Sequence, residues 1–219
     1  MRMSRLVRFG TCGAVLGWFG LAHAAAPEPS WRDFKHVSNT SFVEPSGDKA
    51  LQLSVEVPAS AHDVFQAFAT SDGFSSWAVP IAKVDLKIGG FIEASYDASV
   101  PLGSPSNIKN QIVAYLPDRL LVIRNVQAPP GFVDQTLFAR TVTIIELHSL
   151  GERSTRVTLT NAGYGPGEGF ADVYRHFEWG DAYTLEELRK RFVDGPTDWA
   201  KEAAKEQAKK ASDKVEGAH

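Results

Sequence analysis

The sequence predicts an α+β fold, a curved antiparallel sheet wrapped around one long C-terminal helix with an apolar cavity between them. Three observations carry this expectation. Strand-like segments follow one another between residues 82 and 161 with only short turns between them, which makes an antiparallel meander rather than a parallel βαβ sheet. One long amphipathic segment, 170–192, comes last. No other segment of comparable length is available to cover the apolar face of the sheet. A strongly curved sheet cannot close perfectly around a single helix, so the gap becomes a cavity with loops at its mouth.

The elements follow in order. "LQLSVEV" (51–57) alternates apolar and polar residues, the period of a half-buried strand, and Pro58 ends it. In "SAHDVFQAFAT", Ser60 stands where an N-cap belongs, and Val64, Phe65 and Phe68 share one helical face. "SDGFSSW" adds a second short helix ending near Trp77. Strands are expected over 82–88, 91–96, 108–115, 120–126, 140–148 and 155–161, with "IGG", "PDR" and "LGER" as compact hairpin turns. "DASVPLGSPSN" and "QAPPGFVDQTL" are too rich in Pro and Gly for regular structure, and 31–50 reads as polar and irregular around the turn "EPSGD".

Along the last helix, Phe170, Val173, Phe177, Thr184, Leu185, Leu188 and Phe192 recur at steps of three and four, and Gly195-Pro196 stops it. The tail "DWAKEAAKEQAKKASDKVEGAH" reads as a solvated or frayed helix with no assigned function. "GYGPGEGF" (163–170) resembles a phosphate loop only superficially. It matches neither G-x-G-x-x-G nor a P-loop, Pro166 has no N–H to offer, and Glu168 repels an anion. It is expected to act as a gate or plain connector over the cavity mouth.

The chain has 219 residues, 43% hydrophobic and 22% charged, enough for one sizeable core. Residues 1–24 carry the marks of a cleavable export signal. These are a basic start with Arg2, Arg5 and Arg8, an apolar stretch too short for a stable membrane anchor, and a small-residue "AHA". The expected organisation is a signal at 1–24, an N-terminal extension at 25–50, a ligand-binding domain at 51–195 and a charged tail at 196–219, in a periplasmic or secreted protein without a stable membrane anchor. Cys12 lies inside the signal, so the mature chain holds no cysteine for a disulfide, a thiolate nucleophile or a metal. Removing the three arginines leaves 20 basic against 26 acidic residues, a charge near −6, and no basic stripe to neutralise phosphates. Nucleic acid is therefore excluded as an expected partner.

Several stretches occur together in an informative order: "VEVPASAHDVFQAFATSDGFSSWAVP", Gly89-Gly90, "VAYLPDRLLVIRNV", "TRVTLTNAGYG" and "HFEWGDAYTLEELRKRF". In that order they resemble the START-like, or SRPBCC, superfamily, and most closely its heat-shock-protein ATPase activator homologue group. The resemblance covers about residues 51–192. It implies a helix-grip fold with a deep cavity between sheet and helix, in a superfamily that includes lipid carriers, small-molecule binders, polyketide-cyclase-like enzymes, hydrolases and co-chaperone relatives. Fold alone does not choose among these. Many members carry a tryptophan four residues before the first leucine of "L-x-x-L". Here that position is Asp181, so the family's ligand preference does not carry over at that point. The export signal is a second departure from a mostly cytosolic family.

The residues narrow the chemistry further. The histidines His36, His62, His148, His176 and His219 are scattered without H-E-x-x-H or H-x-H, and there is no G-x-S-x-G elbow. Neither a metal nor any other cofactor is expected. Trp77, Tyr96, Phe132, Phe138, Tyr164, Phe177, Trp179 and Tyr183 lie on elements that should line the cavity or its mouth. Each alone reads as core, whereas together they border a pocket, where aromatic bodies with polar tips combine burial with orientation. Arg124, Asn125 and Glu93 are strand residues that project either into the cavity or into solvent, and Arg124 with Asp181 would form a buried pair orienting a ligand's polar end. The expected function is an exported binding protein for a small apolar or aromatic molecule. The alternatives are a cyclase- or hydrolase-type enzyme using Asp181 or Glu93 as acid or base, and a co-chaperone-like interaction module. The sequence leaves the oligomeric state open.

Overall fold

In the computed structural model, the structure describes residues 29–132 and 134–216. The expected export signal, with Cys12, lies outside the described residues. Among these residues nine strands form one antiparallel sheet. They are β1 (Ser38–Asn39), β2 (Phe42–Val43), β3 (Lys49–Val57), β4 (Ile81–Val84), β5 (Phe91–Ser95), β6 (Ile108–Leu116), β7 (Leu120–Gln127), β8 (Val142–Gly151) and β9 (Ser154–Tyr164), in the order β1-β3-β9-β8-β7-β6-β5-β4, with β2 also on β3. From β4 to β9 sequence neighbours are spatial neighbours, the meander that the short turns predict. The helices are α1 (Ala61–Ala69), α2 (Ser71–Ser75), α3 (Gln135–Phe138), α4 (Glu168–Val193) and α5 (Trp199–Glu216).

Local chemistry accounts for the main elements. Leu51, Leu53, Val55 and Val57 of β3 are at most 2% exposed, so the alternation read from the sequence is the alternation of burial. Ser60 caps α1 by accepting from the Asp63 N–H, and Val64, Phe65 and Phe68 sink into the core. On α4 the buried face runs through Phe170, Val173, Asp181, Leu185 and Leu188. This helix packs against β3 and β9, with α3 and a single 3-10 turn (Trp31–Asp33) on its flanks. The connector from β9 to α4 contains Gly163 at φ 96° and Gly167 at φ 129°, backbone conformations that only glycine adopts without strain. That conformational need explains the glycines of "GYGPGEGF".

Three expectations need correction. Residues 31–50 are not irregular throughout, because they supply the 3-10 turn, β1 and β2, and β3 begins two residues earlier than expected. Two-residue strands have no periodicity to read. "QAPPGFVDQTL" contains the short helix α3, capped by the Asp134 carboxylate. The strand expected over 82–88 stops at Val84, where the chain turns tightly through Asp85 and Lys87. The tail is helical, and its first turn is docked: Trp199 Nε1 donates to the Ser75 carbonyl and the Thr197 N–H to that of Ser76.

Candidate functional site

The register of the sheet assembles a polar band on the concave face. Directly paired residues of neighbouring strands share a face. Leu51 pairs with Asn161, Asn161 with Thr143, and Thr143 with Ile123, while Asn125 pairs with Asn110 and Asn110 with Ile92. Leu51, Ile92 and Ile112 are core residues, so Asn161, Thr143, Asn125 and Asn110 look inward with them. From the helix side Asp181 joins this band. Thr143 Oγ1 donates to Asn161 Oδ1 at 2.6 Å, and Asn161 Nδ2 donates to Asp181 Oδ2 at 2.6 Å. A second link runs from Asn125 Nδ2 to Asn110 Oδ1 at 3.0 Å.

Asp181 is 8% exposed, and among the described residues no Lys, Arg or His forms an ion pair with it. Burial without a cationic partner pushes its carboxyl well above the ordinary carboxylate range. One helical turn before it on α4 is Phe177, stacked on Phe138 with centroids 4.5 Å apart and set edge-on to Phe132 at 6.2 Å. The His176 ring lies 4.8 Å from Phe132, and burial lowers its pKa. Tyr164, 1% exposed, packs edge-on against Phe170 and Tyr174. Its hydroxyl has no hydrogen-bond partner among the described residues. It lies close enough to the Asn161 side chain to feel it, yet outside hydrogen-bonding geometry. Burial, then the charge of Asp181, drives the Tyr164 phenol far up.

Tyr96 continues the inward alternation of Ile92 and Ala94. Surrounding protein raises its pKa, with smaller contributions from Tyr183 and Asp181, although 70% of its surface is solvent-accessible. The ring thus lies at the rim of the sheet, reached by water and near enough to Tyr183 and Asp181 to couple to them.

Of the predicted site residues, the fold brings together Phe132, Phe138, Phe177 and Asp181, with Tyr96 and Tyr164 on the strands that face them. Four others are corrected. Trp77 is a core anchor: it is 2% exposed, packs edge-on to Phe68 and donates Nε1–H to the Ala67 carbonyl. Arg124 pairs with Gln111 on the convex face and is exposed, so the Arg124–Asp181 pair does not form; Asn161 takes its place. Tyr183 is 44% exposed, stacks on Trp179 and meets Phe34 edge-on, holding the N-terminal turn against α4. Glu93 pairs with Lys109 on the convex face, beneath residues 97–107. Burial works to raise its pKa, but hydrogen bonds from Asn107 and the Gly103 N–H, with Lys109 and Lys83 nearby, leave it lowered overall. That is the wrong direction for a proton donor. Asn161, Thr143 and Asn110 were missed by sequence reasoning.

Two hollows lie at the ends of α4. One of about 60 Å³ is bordered by Lys49, Tyr164, Gly165, Gly167 and Phe170. The other, of about 410 Å³, lies between Asp63, Gln66 and Ala67 of α1, Ser76, and Arg191 and Phe192. No predicted site residue borders the larger one. No group of His, Cys, Asp and Glu among the described residues is placed to hold a metal ion, and no described helix is long and apolar enough to cross a membrane.

Comparison with known proteins gives a consistent frame. The family described as "Activator of Hsp90 ATPase homolog 1-like protein" matches residues 58–192. The solution structure of the Aha1 dimer from Colwellia psychrerythraea is similar at 16% identity and a TM-score of 0.53, covering 67% of this chain and 97% of that one. CalU16 from Micromonospora echinospora is similar at 18% identity and 0.51, over 78% and 92%. A protein from Staphylococcus saprophyticus is similar at 16% and 0.51, over 68% and 94%. At these identities the likeness shows the fold alone. None of the curated proteins matches the chain.

Proposed function

The chain belongs to the activator of Hsp90 ATPase homolog 1-like family, and on that footing we propose that it is an exported binding protein for a small, largely apolar or aromatic molecule. The molecule is held on the concave face of the sheet against α4. Phe132, Phe138 and Phe177 cover its apolar body, Tyr96 flanks the open side, and Asp181 with Asn161 orients its polar end. The observation that carries this reading is the buried chain Thr143–Asn161–Asp181. A polar network set among core residues costs stability unless fully satisfied, and a ligand group at Asp181 would complete it. Export rests on the basic, apolar and small-residue pattern of residues 1–24.

The test is native mass spectrometry of protein recovered from the periplasm without denaturation. A retained mass of a few hundred daltons, lost in Phe177→Ala, is the expected result. A ligand present at about 100 times its dissociation constant adds ~2.7 kcal/mol of stability, so thermal unfolding with and without it gives an independent readout. A retained molecule indifferent to Phe177→Ala refutes the site. A second reading is favoured by one observation, the burial that raises the pKa of Asp181. A buried neutral acid can protonate a bound substrate, and turnover abolished in Asp181→Asn with binding retained would move the protein from carrier to enzyme.

A further inference from the structure

We propose that the ligand of this site is a cation, a small aromatic or arylalkyl amine whose ammonium group pairs with Asp181. This rests on the binding site proposed above and names the class of its occupant.

Four observations converge. Asp181 is buried at the centre of the polar band, and among the described residues no Lys, Arg or His forms an ion pair with it. The hydrogen bonds leading to it are polarised in one direction. The Thr143 hydroxyl donates to Asn161 and the Asn161 amide donates to Asp181, so the chain ends on the Asp181 carboxyl. Such an end is completed by a donor, and a positively charged donor completes a buried carboxylate best. Adjacent are the rings of Phe177 on α4, Phe138 on α3 and Phe132 in the loop before α3, with the phenol of Tyr96 near enough to couple to Asp181, and aromatic faces attract an ammonium. The titratable groups that couple to Asp181 are Tyr96 of the β5 side and Tyr164 of β9, with His176 on the preceding turn of α4 facing Phe132. The phenols bring no positive charge, and burial holds the His176 ring towards its neutral form. The protein thus supplies the carboxyl and the rings, and leaves the cation to the ligand.

The proton balance is explicit. Burial disfavours the charged form of Asp181 in the free protein. An ammonium ligand entering the site pairs with the charged carboxylate, and any proton the carboxyl held leaves to solvent. Affinity for amines therefore rises with pH up to the free-state pKa of Asp181, is level above it, and falls once the amine itself deprotonates; a neutral isostere shows no such rise.

The experiment is isothermal titration of the full mature chain with matched pairs of amine and alcohol isosteres, phenethylamine against 2-phenylethanol and tryptamine against tryptophol. It is run at pH 6 and pH 8 in two buffers of different ionisation heat. The expected result is about tenfold or greater preference for the amines, proton release at pH 6 at least as large as at pH 8, and loss of that preference in Asp181→Asn. A Phe177→Ala variant, which keeps the carboxyl, should weaken both members of each pair, the amine somewhat more, and keep most of the preference for the amine. Alcohols binding as tightly as amines would overturn the inference and leave the binding site standing. Tighter binding of the alcohols would also overturn it, pointing to Asp181 as a neutral donor. Failure of every pair to bind would overturn both this inference and the site it rests on.

Discussion

Replacing Tyr164 with Phe should stabilise the free protein. The Tyr164 side chain is 1% exposed, and its hydroxyl has no hydrogen-bond partner among the described residues. Desolvating such a group without a partner costs about 1–3 kcal/mol. The substitution removes that cost and leaves the ring where it is, edge-on to Phe170 at 6.4 Å and to Tyr174 at 5.2 Å. For a chain of this length each kcal/mol moves Tm by about 2–4 °C, so the gain is about 2–12 °C. Differential scanning calorimetry at pH 7 measures it, and urea unfolding should show a higher midpoint at unchanged slope. The same variant separates stability from function. If the hydroxyl serves the bound molecule through the Asn161–Asp181 network, Tyr164→Phe is more stable when free and binds its ligand more weakly. A lower Tm in the free protein would refute the reasoning, because it would mean the hydroxyl is paired, directly or through solvent, in the native state.

Two further outcomes are expected. Asp181 has a folded-state pKa raised above its unfolded value of 3.8 by burial, so the folded state binds its proton more tightly. Its influence is neutral well below pH 3.8. It then erodes stability as pH rises towards the folded pKa and stays constant above it, each tenfold change in acidity corresponding to ~1.4 kcal/mol. Asp181→Asn should therefore gain stability over the parent as pH is raised, read from Tm measured between pH 3 and 8; a difference that does not vary with pH would count against a raised carboxyl. Trp77→Phe should lose the buried Nε1–Ala67 bond and about 1–3 kcal/mol in urea unfolding, with ligand affinity unchanged because Trp77 anchors core rather than site.

The strongly periodic parts of the molecule were legible in the sequence. Leu51 to Val57 alternate in burial as their letters alternate. Phe170, Val173, Leu185 and Leu188 recur on one helical face and are buried, whereas Asp181 was singled out by the family resemblance and not by the period. Arg124 shows where this reading fails. "LLVIRNV" is apolar on both faces, so its period does not say which face carries the arginine. Only the pairing of Arg124 with Gln111, and of Asn125 with Asn110, decides that the asparagine looks inward. The band Asn110–Asn125–Thr143–Asn161 is a property of register across four strands, and no single segment contains it. Tyr183 and Phe34 likewise meet across about 150 residues of chain, through a two-ring contact that leaves no periodic trace. Glu93 was misread for a simpler reason: every position of β5 from Ile92 to Ser95 is buried, so burial alone did not identify the concave side.

The two short strands that pair with β3 bear on the fate of the unfolded chain. Ser38–Asn39 and Phe42–Val43 occupy the free side of a nine-residue strand rich in Leu and Val, and they do so in two pieces separated by Thr40 and Ser41. An unbroken apolar edge of that length is a template for strand addition by another molecule. The family match begins at Pro58, so a fragment cut to that boundary would lose β3 as well and lay bare the eleven-residue β9 beside the polar band. The residues ahead of the match thus act as a guard against aggregation.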